Sequence, residues 1–66
     1  MQNTIKIERA KKNITQSELA KVLNVSRLTV HSIEVRKFNP SVIIALKMAR
    51  YFNIAVEELF MLEETD

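Results

Sequence analysis

The 66-residue chain contains no cysteine and no glycine, and proline occurs once. Without cysteine there is neither a disulfide framework nor a thiolate metal site, so stability has to come from helix packing, oligomer burial, or both. A reducing, cytoplasmic setting is expected. No apolar run approaches the roughly eighteen residues of a membrane span, and the N-terminus lacks the charged-then-apolar order of a signal peptide. This predicts a soluble, unprocessed protein with no membrane contact. A single histidine, His31, and no second ligand of its kind argue against a metal site. No nucleophile, base and orienting group stand in a recognisable spacing, and no Gly-rich phosphate loop exists, which argues against an enzyme and against a bound cofactor. Sixty-six residues also enclose little pocket. They predict a single domain over 1–66, with a core of about 4–60 and an acidic tail at 61–66.

The missing glycine bears on the turns. The chain reads as five helices in close succession, with Asn3, Thr15, Ser26 and Asn39 as N-caps. Four tight connections between helices would ordinarily use a residue tolerant of positive φ. Asn13, Asn24 and Asn53 hold three of those positions, and asparagine is the second choice after glycine for the left-handed conformation. The fourth connection, Val35-Arg36-Lys37-Phe38, has no such residue.

Each helix carries its own marks. Thr15-Gln16-Ser17-Glu18 is a capping box, in which hydroxyl and carboxylate satisfy two orphan amides reciprocally. Ser26 opens a short helix with Val30 and Ile33 at core spacing. Pro40, at the first helical position after Asn39, is expected to start a fourth helix whose stripe is Val42, Ala45, Met48, Ala49 and Phe52. A last helix, Val56 to Phe60, is expected before a tail that is extended over Met61 to Glu63.

The net charge is +2, but it is unevenly distributed. Residues 1–50 hold all ten Lys and Arg against Glu8, Glu18 and Glu34, a net +7; residues 51–66 hold five acids and no base, a net −5. This pattern either marks a surface that faces a polyanion, with the C-terminal end pointing away, or is an ordinary solvated distribution.

Two short helices joined by a tight turn, at about 16–34, form a helix-turn-helix arrangement. Ala20 leaves room for the second helix to cross closely, and Val25, Val30 and Ile33 can pack on Leu19 and Leu23. The opposite face of Arg27 to Glu34 then holds Arg27, Leu28, His31 and Ser32.

With those residues in view, the chain resembles the Cro-like phage-repressor, or xenobiotic-response-element, helix-turn-helix family. The residues that carry the resemblance are Thr15 to Ala20, Val25-Ser26-Arg27, Thr29-Val30, Ile33-Glu34 and Lys37 to Ser41. It is most similar to the minimal bacterial regulators of the small, dimeric cytolysin-repressor type. The resemblance implies an all-α, five-helix lambda-repressor-like fold and sequence-specific binding of double-stranded DNA as a transcriptional regulator, with repression the expected outcome.

Residue roles follow from the resemblance position by position. Gln16 matches a residue that binds a phosphate and braces the recognition helix, as free amides at a helix N-terminus also would. Arg27 and Leu28 match the tip of that helix, and Ser26, its cap, is counted with them among the expected DNA-binding residues. Arg27 either binds guanine O6 and N7 or clamps a phosphate. Leu28 replaces a common glutamine; it either packs on a thymine methyl or covers apolar surface. Thr29 matches a phosphate-binding hydroxyl, and His31 and Ser32, one turn further on, are expected to reach outer bases. Lys37 and Asn39 match a phosphate-binding loop, in which Arg36 takes a position usually held by glycine and either adds a phosphate contact or strains the loop. Arg9 and Glu34 match a partly buried ion pair, a structural role.

Ile43, Ile44, Tyr51, Phe60, Met61 and Leu62 carry more apolar surface than a small monomer should expose. They either enlarge the core or form a homodimer interface, which would place two recognition helices on a palindromic operator. An antitoxin-like or other protein-interaction module, with DNA binding secondary, is the competing reading.

Overall fold

The structure is a computed structural model that describes residues 1–66. In chain order the elements are β1 (Gln2–Asn3), α1 (Ile5–Lys12), α2 (Gln16–Leu23), α3 (Arg27–Glu34), α4 (Val42–Phe52), α5 (Val56–Leu59) and β2 (Phe60–Met61). The expected all-α, five-helix class holds, with one addition. The strands pair antiparallel, Gln2 opposite Met61 and Asn3 opposite Phe60, which ties the start of α1 to the end of α5.

The caps explain where most helices begin. At α2 the Thr15 hydroxyl accepts from the Glu18 N–H at 3.1 Å, and Glu18 Oε1 accepts from the Thr15 N–H at 3.0 Å. At α3 the Ser26 hydroxyl accepts from the Thr29 N–H at 3.1 Å.

Helix α4 departs from expectation. Its N-cap is Ser41, whose hydroxyl accepts from the Ile44 N–H at 3.1 Å, so neither Asn39 nor Pro40 has the expected role. The proline biases Asn39 toward extended backbone, and the serine offers the capping oxygen nearer the helix. Val42 consequently occupies the first position of α4 and is 75% exposed, outside the core stripe in which it was expected. Helix α1 has Thr4 at its N-cap, but it is Asn3 Oδ1 that accepts from the Ile5 N–H, at 3.2 Å. Helix α5 stops at Leu59, because Phe60 leaves it to pair with Asn3.

Three helices close in the same way. Asn13 (φ 54°), Asn24 (φ 57°) and Asn53 (φ 57°) are left-handed. Each donates its N–H to the carbonyl three residues back: Ala10, Lys21 and Arg50. The next residues, Ile14, Val25 and Ile54, donate to Arg9, Ala20 and Ala49, completing a Schellman motif at each site. Those three residues also pack against the core, the apolar contact that accompanies the motif.

The fourth closure, after α3, has the same hydrogen bonds and different residues. Arg36 (φ 65°) donates to Ile33 O at 3.1 Å, and Lys37 donates to Ser32 O at 2.9 Å. An arginine therefore stands where glycine would fit without a Cβ clash, and a lysine stands where the others bury an aliphatic side chain. Both side chains are left exposed.

The core contains Ile5 of α1, Leu19, Ala20 and Leu23 of α2, Val30 and Ile33 of α3, Met48, Ala49 and Phe52 of α4, and Leu59 and Phe60. No polar or charged residue is buried with them. Phe60, counted among the dimer-interface residues with an enlarged core as the alternative, belongs to this core, because strand pairing turns its ring inward. No helix is long and apolar enough to cross a membrane.

Left-handed backbone costs an L-residue roughly 1–2 kcal/mol. Arg36→Gly is accordingly expected to be more stable than Arg36→Ala by about 1 kcal/mol, both variants having lost the same side-chain contacts. Paired denaturant titrations check this, and equal midpoints would show that position 36 is unstrained.

Candidate nucleic-acid interface

Helix α3 has two unlike faces. Val30 and Ile33 are buried against the rest of the protein, whereas Arg27, Leu28 and His31 are exposed and Thr29 and Ser32 lie half-buried between them. The close approach of α2 and α3 is made possible by Ala20, itself buried. Gln16, at the first turn of α2, brings its Nε2 to 3.4 Å from His31 Nδ1, so the expected phosphate-binding amide stands beside the outward face of α3.

Two of the expected polar residues are occupied by their neighbours. The Ser26 hydroxyl caps α3 and also lies 2.9 Å from the Thr29 hydroxyl, so both are committed to the helix start. Lys37 and Asn39 are exposed in the loop that follows α3. Leu28, Thr29, Ser32, Lys37 and Phe38 line an open groove of about 250 Å³ at the join of helix and loop.

Arg36 projects elsewhere. Its Nη1 donates to Glu63 Oε1 at 3.2 Å, and Glu63 Oε1 also lies 3.2 Å from the Met1 amino group. Asp66 Oδ1 accepts from that amino group at 2.8 Å, and its Oδ2 accepts from the Glu63 N–H at 2.7 Å. These contacts hold the Asp66 carboxyl below its ordinary pKa, chiefly through the bond from the amino group, and raise the amine through the same bond. The acidic tail was expected to point away from the basic surface. It instead reaches back to the N-terminus and the loop after α3, where Glu63 and Asp66 pair with the Met1 amine and Glu63 also with Arg36.

The far end of α3 is held by two residues, Arg9 and Asn3. Arg9 Nε donates to Glu34 Oε2 at 2.8 Å and Arg9 Nη2 donates to Glu34 Oε1 at 3.0 Å, a bidentate pair of the expected kind. Arg9 Nη1 donates in addition to Ile14 O at 3.0 Å, so the guanidinium joins α1, the turn after it and α3. Asn3 was unforeseen in this role. From β1 its Nδ2 donates to Ile33 O at 3.1 Å, which also accepts from the Arg36 N–H, and to Glu34 O at 3.4 Å at the open end of the helix.

The apolar residues expected to meet a second copy are divided. Ile43 (66% exposed) and Leu62 (82% exposed) are on the surface, and Ile44, Tyr51 and Met61 are half-buried. The Tyr51 ring packs edge-on to Phe52 and lies under Lys12 Nζ, 5.0 Å from its centroid. No group of three or more His, Asp or Glu side chains is placed to hold a metal ion.

This geometry has known counterparts. Residues 5–59 match the family described as Helix-turn-helix. The chain belongs to this helix-turn-helix family. Among helix-turn-helix relatives, an HTH-type transcriptional regulator of Archaeoglobus fulgidus is 46% identical over 66 residues, covering 100% of this chain and 93% of the relative. Another, from Methanocaldococcus jannaschii, is 42% identical over 66 residues and covers 100% of both chains. The regulator YgzD of Bacillus subtilis is 38% identical over 64 residues, covering 97% of each. The crystal structure of a transcriptional regulator from Listeria innocua has a TM-score of 0.75 at 17% identity over 97% of this chain, and so shares the fold. This chain spans 64% of that longer one. The protein is a DNA-binding, helix-turn-helix regulator domain of the Cro/XRE superfamily.

Glu34 is the residue on which the lock can be tested. Its side chain is 7% exposed and that of Arg9 15%, so Glu34→Ala leaves a largely buried guanidinium with one carbonyl partner. The expected loss is about 3 kcal/mol, at the low end for a broken buried pair because Arg9 keeps some access to water. Thermal unfolding measures it, and an unchanged transition would remove the pair from any stabilising role.

Proposed function

We propose that the protein is a transcriptional repressor of the minimal Cro-like, cytolysin-repressor type, which binds a palindromic double-stranded operator in the cytoplasm as a homodimer with α3 in the major groove. The two-faced α3 is the observation that carries this reading. Its inner face is packed and its end is locked, so the outer residues are presented on a rigid element.

In this assignment Arg27, Leu28, His31 and Ser32 meet base edges, while Gln16, Lys37 and Asn39 hold phosphates. Ser26 contributes through the helix start that it caps, and Thr29 through its bonds to that cap. Arg36 joins the phosphate contacts by exchanging Glu63 for a phosphate oxygen, two anions of similar chemistry. Phosphate contacts supply most of the affinity and base contacts the selectivity. Occupying a promoter in this way blocks polymerase.

The dimer surface is the exposed side of α4 with the segment after β2. Val42, Ile43 and Leu46 are more than half exposed on the first two turns of α4, and Leu62 is nearly free of neighbours. Ile44, Tyr51 and Met61 form the edge of that surface. A two-fold axis there sets the recognition helices about 34 Å apart, one turn of DNA.

Selection of bound sites from random DNA tests the reading. The expected pool is palindromic, and an unselective pool would refute a specific regulator. On the selected site Arg27→Ala is expected to lose about ten-fold or more in affinity and to relax one base position if the arginine pairs with guanine. Lys37→Ala should weaken all sequences alike and lower the salt slope by about one. Sedimentation equilibrium addresses the dimer: a monomer at high micromolar concentration would refute it, and Ile43→Asp should shift the wild-type dimer toward monomer.

A further inference from the structure

Leu28 and Phe38 are 68% and 53% exposed, and they line the same groove beside α3. Single exposed apolar side chains are ordinary on a soluble protein. Two large ones that wall one recess, on the face assigned to DNA, have a more specific meaning. The other lining residues are Thr29, Ser32 and Lys37, so the groove holds no carboxylate and one cation. Arg27 stands next to Leu28 on the exposed tip of the helix. This charge favours an anionic partner over an apolar peptide or a second copy of the chain. An occupant must therefore offer a small apolar group framed by phosphates. The C5-methyl of thymine in a major groove is such a group, since each major-groove thymine edge carries a methyl beside an acceptor oxygen.

We propose that Leu28 and Phe38 form the two walls of a receptor for a thymine C5-methyl group, with Lys37 on an adjacent phosphate and Ser32 within the recess near the base edge. The receptor rests on α3 lying in the major groove, and it adds the loop aromatic Phe38 as a specificity-determining residue. The loop holds Phe38 there by the backbone bonds from Arg36 to Ile33 and from Lys37 to Ser32, which fold residues 36–38 back on the end of α3.

The test replaces each thymine of the selected operator, one at a time, with deoxyuridine, which keeps every hydrogen bond and lacks only the methyl. Binding is measured for the wild type, Leu28→Ala and Phe38→Ala. At one position of each half-site the wild type is expected to bind about four-fold more weakly to the uracil DNA per methyl removed. That penalty should shrink or vanish in both variants, whose thermal transitions should stay near wild type because neither residue belongs to the core. Insensitivity at every thymine, or a full penalty retained in either variant, overturns the receptor while leaving sequence-specific binding intact. Failure to select any DNA sequence instead overturns the major-groove reading beneath it.

Discussion

The interface depends on how the C-terminal end of α3 is held. A helix of eight residues is too short to be stable by itself, so its direction is set by what it packs on and by what ends it. Val30 and Ile33 fix its inner face, and the Arg9 guanidinium fixes its far end through Glu34. Because Arg9 also binds Ile14 O, any tilt of α3 would disturb α1 and the turn leading into α2 at once. Asn3 adds a second restraint on that end through the backbone carbonyls there. The groove and the exposed row of α3 are therefore parts of one rigid body rather than a loosely carried helix.

Most helix starts and stops could be read from local chemistry. The Thr15 box, the Ser26 cap and the three left-handed asparagines are each decided within a few residues, so neighbours in sequence suffice. Where two local signals competed, reading failed: Asn39-Pro40 and Ser41 both mark a helix start, and only the oxygen nearest the first free amides decides between them. Strand β1 left no trace, since two residues carry no periodicity and its partner lies almost sixty positions away. Asn3 as a cap on α3 was hidden for the same reason.

The candidate interface was partly legible on the same grounds. Residues on α3 follow from helical periodicity once Val30 and Ile33 are known to point inward. The groove was not, because it needs the loop folded back on the helix, and that fold rests on an arginine in a conformation its type disfavours. A bulky aromatic directly after the cationic pair Arg36-Lys37 was the available signal for Phe38. The engagement of Arg36 with Glu63 could not be read from position alone, as any acid of the tail would have served.

The asparagine closures have a chemical consequence besides their conformational one. Asparagine decays when the backbone nitrogen of the next residue attacks its side-chain carbonyl carbon, releasing ammonia through a cyclic imide. In this fold the nitrogens of Ile14, Val25 and Ile54 are each hydrogen-bonded to a carbonyl of the preceding helix, and each belongs to a β-branched residue that crowds the attack. A glycine-free chain that ends three helices on asparagine thereby keeps those amides where the reaction is slow. The same packing that closes the helices protects the covalent integrity of the turns.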